Sequence, residues 1–140
     1  MTIGQLKILV VDDHALLRHV IKSALAANDI ELFDSADNGR DALEKIQQAQ
    51  QKKSLYDVVF LDWNMPEVNG FEVLKACRKD PSMNKMAIVM VTAEAEPESI
   101  VKALDAGATA YITKPFNTDA LLEKLKALEV WKTKMSSKAT

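Results

Sequence analysis

One cysteine, Cys77, in 140 residues leaves no partner for an internal disulfide, and a reducing cytosol is the setting that fits. No apolar run approaches the roughly 18 residues that a membrane helix needs. The opening "MTIGQLKILVVDD" lacks the basic start of a signal peptide and turns acidic too soon for one. Four glycines are present, and none falls into a Gly-x-Gly-x-x-Gly fingerprint or a P-loop. The only two histidines, His14 and His19, are five apart, off a shared helical face, and make no zinc site with a single cysteine. A formal charge of −2 gives no electrostatic reason to expect nucleic acid or an anionic membrane as partner. The expectation is a small cytoplasmic domain that is neither membrane-inserted nor nucleic-acid-binding.

What is present is an ordinary globular balance, 48% hydrophobic and 27% charged. A chain this long buries roughly 70% of its unfolded surface without help from metals. Five short apolar runs read as strands: "LKILVV", "ELFDSA", "DVVFL", "MAIVMV" and "TAYIT". The first, third and fourth are almost unbroken and rich in Val and Ile, as in parallel strands covered on both faces. "ELFDSA" is weaker and belongs nearer an edge.

Helical patterns fill the gaps. Leu17, Val20, Ile21, Ala24 and Leu25 form one apolar stripe at helical spacing. "GRDALEKIQQAQQKK" carries Ala42, Leu43 and Ile46 on one side and ends in lysines. "NGFEVLKACRKD" is halted by Pro81. "PESIVKALDAG" places Pro97 at a first helical position and Gly107 as a left-handed cap. "TDALLEKLKALEVW" follows, capped by Asn117 or Thr118. Five alternations predict an α/β domain with a parallel sheet, and five are too few for an eight-fold barrel. An open doubly wound sheet is expected over residues 1–128. Residues 129–140 then make the end of the last helix and a polar tail that frays, with the lysines at 132, 134 and 138 solvated.

Polar residues follow the strands. Asp12 and Asp13 follow the first, Asp62 the third, Thr92 the fourth, and Lys114-Pro115 the fifth. In an open parallel sheet all strand C-termini share one edge, where ligands bind. Three carboxylates, a hydroxyl and an ammonium thus converge on one crevice. Two carboxylates about 4 Å apart repel by about 4 kcal/mol at an effective dielectric near 20. Proton uptake or a hard divalent cation relieves this. Mg²⁺ typically takes one or two carboxylates plus phosphate oxygens, so the collection suits phosphoryl chemistry at a carboxylate.

Together, Asp12-Asp13, Asp62, Thr92-Ala93 and Lys114-Pro115 resemble the receiver domains of bacterial two-component response regulators, over roughly residues 6–128. "LDWNMP" and "VTAEA" are similar to the stand-alone chemotaxis regulators of the CheY type, while "IQQAQQKKSLYD" is several residues longer than that pattern. The resemblance implies a five-stranded sheet of order 2-1-3-4-5. It implies that Asp62 accepts a phosphoryl group from a histidine kinase or histidine phosphotransfer protein. Asp13 would bind Mg²⁺ directly, Asp12 mainly through water, and the Asn64 carbonyl would complete the set. Lys114 would pair with Asp62, and Thr92 would hold the phosphoryl group with Tyr111 rotating in behind it. Ala93 would leave the site open to donors, while Asn64 and Glu94 would line the path of the hydrolytic water. The Lys114-Pro115 bond would be cis. The responding surface would be the fourth helix, fifth strand and fifth helix, facing a target such as the flagellar motor switch.

Bland readings exist for each position taken singly. Asp62 alone would be a turn-former, Asp12-Asp13 a helix cap, Thr92 a strand residue and Lys114 a solvated lysine. Trp63 and Phe116 read as packing residues, and His14 as an exposed side chain beside the acids. The enzyme rival is a Mg²⁺-dependent aspartyl-nucleophile phosphatase of the haloacid dehalogenase type. It needs a second aspartate two residues after the nucleophile, where this chain has Asn64. A phosphorelay shuttle differs from a motility regulator only in its partner surface.

Overall fold

The computed structural model describes residues 3–138. Five parallel strands, β1 (Ile8–Val11), β2 (Phe33–Ala36), β3 (Val58–Leu61), β4 (Ala87–Thr92) and β5 (Ala110–Thr113), form one sheet in the order β2-β1-β3-β4-β5. Five helices alternate with them: α1 (Ala15–Ala27), α2 (Gly39–Gln51), α3 (Gly70–Arg78), α4 (Pro97–Asp105) and α5 (Thr118–Lys138). The weak "ELFDSA" run is indeed the edge strand β2, and β5 is the opposite edge.

The interior strands are buried throughout, and apolar apart from Thr92 at the end of β4, because both of their faces are covered. Strand side chains alternate faces, so the sheet divides them into two cores. Leu9, Val11, Val59, Leu61, Ile88 and Met90 point into one core, completed by Ala42 and Ile46 of α2, Val73, Leu74 and Cys77 of α3, and Ala103 of α4. Ile8, Val10, Val58, Phe60, Val89 and Val91 point into the other, with Ile21 and Leu25 of α1 and Leu121, Leu125 and Leu128 of α5.

Side-chain caps set three of the helix starts. Asn38 accepts the amide of Asp41, Asn69 that of Glu72, and Asn117 that of Ala120, which makes Asn117 rather than Thr118 the cap of α5. Gly107 follows α4 at φ +110°, where a side chain would be strained, and an added Cβ would stand 2.7 Å from Arg78. Arg78 itself is a staple, donating to the carbonyls of Gly107, Met83 and Met86 at 2.8 Å each and to the Thr109 hydroxyl at 3.3 Å.

Instead of fraying after Trp131, the last helix continues to Lys138. Trp131 packs on the α1/α5 core. The Lys132 ammonium turns inward, donating to the Lys85 carbonyl and lying 3.4 Å from Asp57 Oδ1. Lys132 is therefore not a solvated tail lysine; its side chain is only 11% exposed, and burial holds its pKa below the ordinary lysine value. Residues 139–140, also expected in the polar tail, lie outside the described residues, as does the side chain of Lys138.

Candidate functional site

The sheet's register carries one step past the strands and delivers the polar residues to a common level. Val11 pairs with Leu61 and Leu61 with Met90, and the next amides continue the ladder: Asp12 to the Ala36 carbonyl (3.1 Å), Asp62 to Val11 (3.0 Å) and Lys114 to Thr92 (2.8 Å). Asp12, Asp62, Thr92 and Lys114 are thus fixed by backbone hydrogen bonds at the C-terminal edge, before any side chain interacts. The first three are almost wholly buried.

The Lys114 ammonium bridges the two buried acids. It donates to Asp12 Oδ2 at 2.7 Å and to Asp62 Oδ2 at 3.2 Å, so its closer partner is Asp12 rather than Asp62. Burial disfavours the charged Asp12 carboxyl, yet the Lys114 hydrogen bond, the His14 amide (2.9 Å) and the His14 ring hold its pKa below the usual value. Lys114 shows the converse balance. Burial would lower its pKa, but the two carboxylates outweigh burial and raise it.

Asp13 lies at the mouth of the crevice, and His14 begins α1 as its N-cap residue without a side-chain cap bond. The His14 ring turns back instead, with Nδ1 2.8 Å from Asp12 Oδ1 and 3.1 Å from Asp13 Oδ1. Ligand atoms of Asp12, Asp13, His14 and Asp62 all lie within 4.8 Å of one another. Three oxygen donors at this spacing fit the demand of a hard cation such as Mg²⁺. The Arg18 guanidinium donates to the Asp12 backbone oxygen at 2.6 Å.

The β3–α3 loop is clasped between two glycines. A Cβ on Gly70 would stand 1.9 Å from the Asp62 carbonyl oxygen, and one on Gly39 2.1 Å from that of Val68. Gly70 also donates its amide to the Trp63 carbonyl at 2.8 Å. Trp63 stacks on Phe71 at 5.0 Å and 7°, half-buried beside the site, while Phe116 packs into the α1/α5 core. Asn64 is exposed, its amide 3.4 Å from Asp62 Oδ1.

Across the crevice the Thr92 hydroxyl accepts the Glu94 amide at 3.2 Å, and exposed Ala93 adds no bulk. The Glu94 carboxylate accepts the Ser99 hydroxyl of α4 at 3.1 Å. The Tyr111 hydroxyl donates to the Glu94 carbonyl at 2.6 Å, tying β5 to the β4–α4 loop. Burial, followed by the charges of Glu94 and Asp62, raises its pKa. The Lys114-Pro115 peptide bond is cis.

A doubly wound five-stranded sheet with paired acids, a buried aspartate, a threonine and a lysine on its C-terminal edge defines a class of signalling domain. The description "response regulator receiver domain" matches residues 8–126, and the chain belongs to that family. Its curated relatives include a chemotaxis protein of Vibrio cholerae, CheY-3, which is 39% identical over 120 residues, 86% of this chain and 88% of the relative. The chemotaxis protein CheY1 of Helicobacter pylori is 37% identical, covering 88% and 96% respectively. Among solved structures, a CheY-like receiver domain protein from Methanospirillum hungatei superposes with a TM-score of 0.79 at 33% identity, over 94% of this chain and 99% of that one. Receiver domains are signalling modules, not enzymes in the usual sense. Among the described residues no helix is long and apolar enough to cross a membrane.

Proposed function

We propose that this chain is a cytoplasmic phosphorylation switch in which Asp62 takes a phosphoryl group from a histidine kinase or histidine phosphotransfer protein. A phosphorus–nitrogen bond on the donor breaks as an Asp62 oxygen bonds to phosphorus. The observation that carries this reading is the Lys114 bridge, an ammonium 2.7 Å from Asp12 and 3.2 Å from Asp62, with both acids buried. A surface lysine has no need of this site, and a structural acid has no need of two acidic neighbours.

Asp13, Asp12 and the Asn64 carbonyl would hold Mg²⁺ together with Asp62. The ion would offset charge on the phosphoryl oxygens. Lys114 is placed to move from Asp62 to those oxygens once they arrive. Phosphorylation adds roughly −1.5 to −2 charges and three acceptor oxygens at Asp62. The Thr92 hydroxyl then has a strong acceptor to donate to, which draws the β4–α4 loop inward. Because Tyr111 is bonded to the Glu94 carbonyl of that loop, the shift reaches β5 and the α4 face directly. Asn64 and Glu94 would line the approach of the hydrolytic water, and Ala93 would leave room for donors. The receiver unit is taken as residues 1–128, and the output as protein binding in motility signalling, with the flagellar motor switch as target class.

Intact-protein mass after incubation with acetyl phosphate and Mg²⁺ tests the reading. One added phosphoryl group is expected, absent with EDTA and absent in Asp62→Asn. A folded wild-type protein that gains none, at times short enough to exclude hydrolysis, overturns it.

A further inference from the structure

We propose that Lys45 and Asp34 form a latch that closes the β2 edge of the sheet, and that without it a second copy of this chain pairs there strand to strand. The latch uses none of the crevice residues and does not depend on phosphoryl transfer.

An unpaired edge strand is a template for strand addition. In β2 the direction of each backbone group follows from its pairing with β1. The Ile8 amide donates to the Leu32 carbonyl at 2.8 Å and the Asp12 amide to the Ala36 carbonyl at 3.1 Å. Parallel pairing turns alternate residues to opposite sides, so Leu32, Asp34 and Ala36 direct their backbone groups at β1. Phe33 and Ser35 direct theirs outward, past the edge of the sheet. Leu32 stands 56% exposed at the start of the same edge, an apolar side chain beside outward-facing amides. That combination invites another strand.

Other parts of the chain occupy most of these groups. The Ser35 amide donates to Asp34 Oδ1 at 2.8 Å, and the Phe33 amide to the Glu31 carbonyl at 3.2 Å. The Ser35 carbonyl accepts the Lys45 ammonium, which α2 carries back alongside β2. Only the Phe33 carbonyl is then left for an incoming strand, and one bond does not hold a ladder. Lys45 is aimed by two acids, lying 3.3 Å from Asp34 Oδ1 and 3.6 Å from Asp41 Oδ2. Asp34 is fixed in turn by the hydroxyl of buried Tyr56, 3.2 Å from its Oδ2. Burial works against the Asp34 charge, but the Ser35 amide, Lys45 and Tyr56 outweigh it and hold the pKa below the usual value.

A second copy is the occupant these groups fit. With a two-fold axis at Asp34, Phe33 of each copy lies opposite Ser35 of the other, and every outward amide meets an outward carbonyl. The same pairing sets one Asp34 carboxylate against the other, and like charges directly opposite are destabilising. The latch therefore acts in two ways: it occupies Ser35, and it places a charge on the axis.

The test uses the full chain, with sedimentation equilibrium and amide hydrogen exchange at rising protein concentration. In wild type the Ser35 amide should exchange more slowly than an exposed amide, at a rate independent of concentration. Free exchange at Ser35 in wild type would overturn the latch without any variant. Asp34→Ala with Lys45→Met should raise the self-association constant at least about tenfold, and Ser35 exchange should slow as the dimer forms. Lys45→Met alone, expected to give at least about threefold, carries the test if the double variant does not fold. A folded variant that associates no more than wild type overturns the proposal. So does a variant dimer in which Ser35 exchange is unchanged, because the copies then meet elsewhere.

Discussion

Replacing Lys114 with methionine keeps most of its apolar stem and removes the charge that bridges Asp12 and Asp62. At 2.7 Å and 3.2 Å the gross attractions are about 6 and about 5 kcal/mol at an effective dielectric near 20. Much of this is offset, because the ammonium no longer has to be desolvated. Removing one partner of a buried pair typically costs about 3–5 kcal/mol, since the other charge is left uncompensated. Lys114 keeps 19% of its side chain in solvent, so we expect a loss of about 2–4 kcal/mol at pH 7. The sign with pH follows from Asp12. Its pKa is lowered in the folded protein, so its stabilisation is present above the ordinary carboxylate pKa of 3.8 and is lost as pH falls through the folded value. Without Lys114, burial is opposed only by the His14 contacts, so the folded carboxyl binds its proton more readily than in wild type. The gap between wild type and Lys114→Met should therefore narrow from pH 7 to pH 4. Urea denaturation at the two pH values, with and without Mg²⁺, measures this, and Mg²⁺ should restore more stability to the variant than it adds to wild type. A variant within about 0.5 kcal/mol of wild type at pH 7, or a gap that widens in acid, would refute the claim that Lys114 compensates two buried charges.

Gly70→Ala should cost about 3 kcal/mol or more by urea titration, because the new Cβ meets backbone at 1.9 Å rather than a flexible side chain; a loss below about 1 kcal/mol would contradict the close approach. Asp57→Ala should destabilise more than Lys132→Met, since the first strands an ammonium in the interior and the second removes it; the reverse order in the same assay would mean that Lys132 is solvated. Burial and the charge of Asp34 raise the Tyr56 pKa to about 12, so the neutral phenol is favoured in the folded state and its contribution is lost as pH rises from about 10 through 12. Tyr56→Phe, which loses a 3.2 Å hydrogen bond to Asp34, should be about 1 kcal/mol less stable at pH 7 yet lose stability less steeply between pH 9 and pH 11 by chemical denaturation.

The sheet and the five polar positions on its edge were legible because both follow from local patterns: apolar runs, the acid, threonine or lysine that ends four of them, and alternation with helices. Topology then does the gathering. What the chain did not reveal depends on contacts between distant segments. Arg78 reads as an ordinary basic residue near a helix end, and nothing local says that it binds the Gly107 carbonyl of the α4–β5 connection. Gly39 and Gly70 look like weak helix starts, and only the packed loop shows why no side chain fits there. Lys132 reads as part of a solvated tail because its neighbours are polar; its partners, Asp57 and Lys85, are far away in sequence. The His14 ring reads as exposed and is so, while its two acidic contacts depend on the extended backbone before α1.

The parallel arrangement of the sheet also separates the molecule into two rims with unequal freedom. Every residue of the acidic crevice enters at a strand's exit, so the opposite rim, where strands begin, holds none of them. The long α2–β3 connection lies there, leaving its helix through Lys53 at φ +56° and held by the Lys7 ammonium on the Ser54 carbonyl at 2.6 Å. Changes that lengthen, shorten or recolour that rim leave the candidate site untouched. Tolerance of substitution and the demands of the candidate site thus fall at opposite ends of the same five strands.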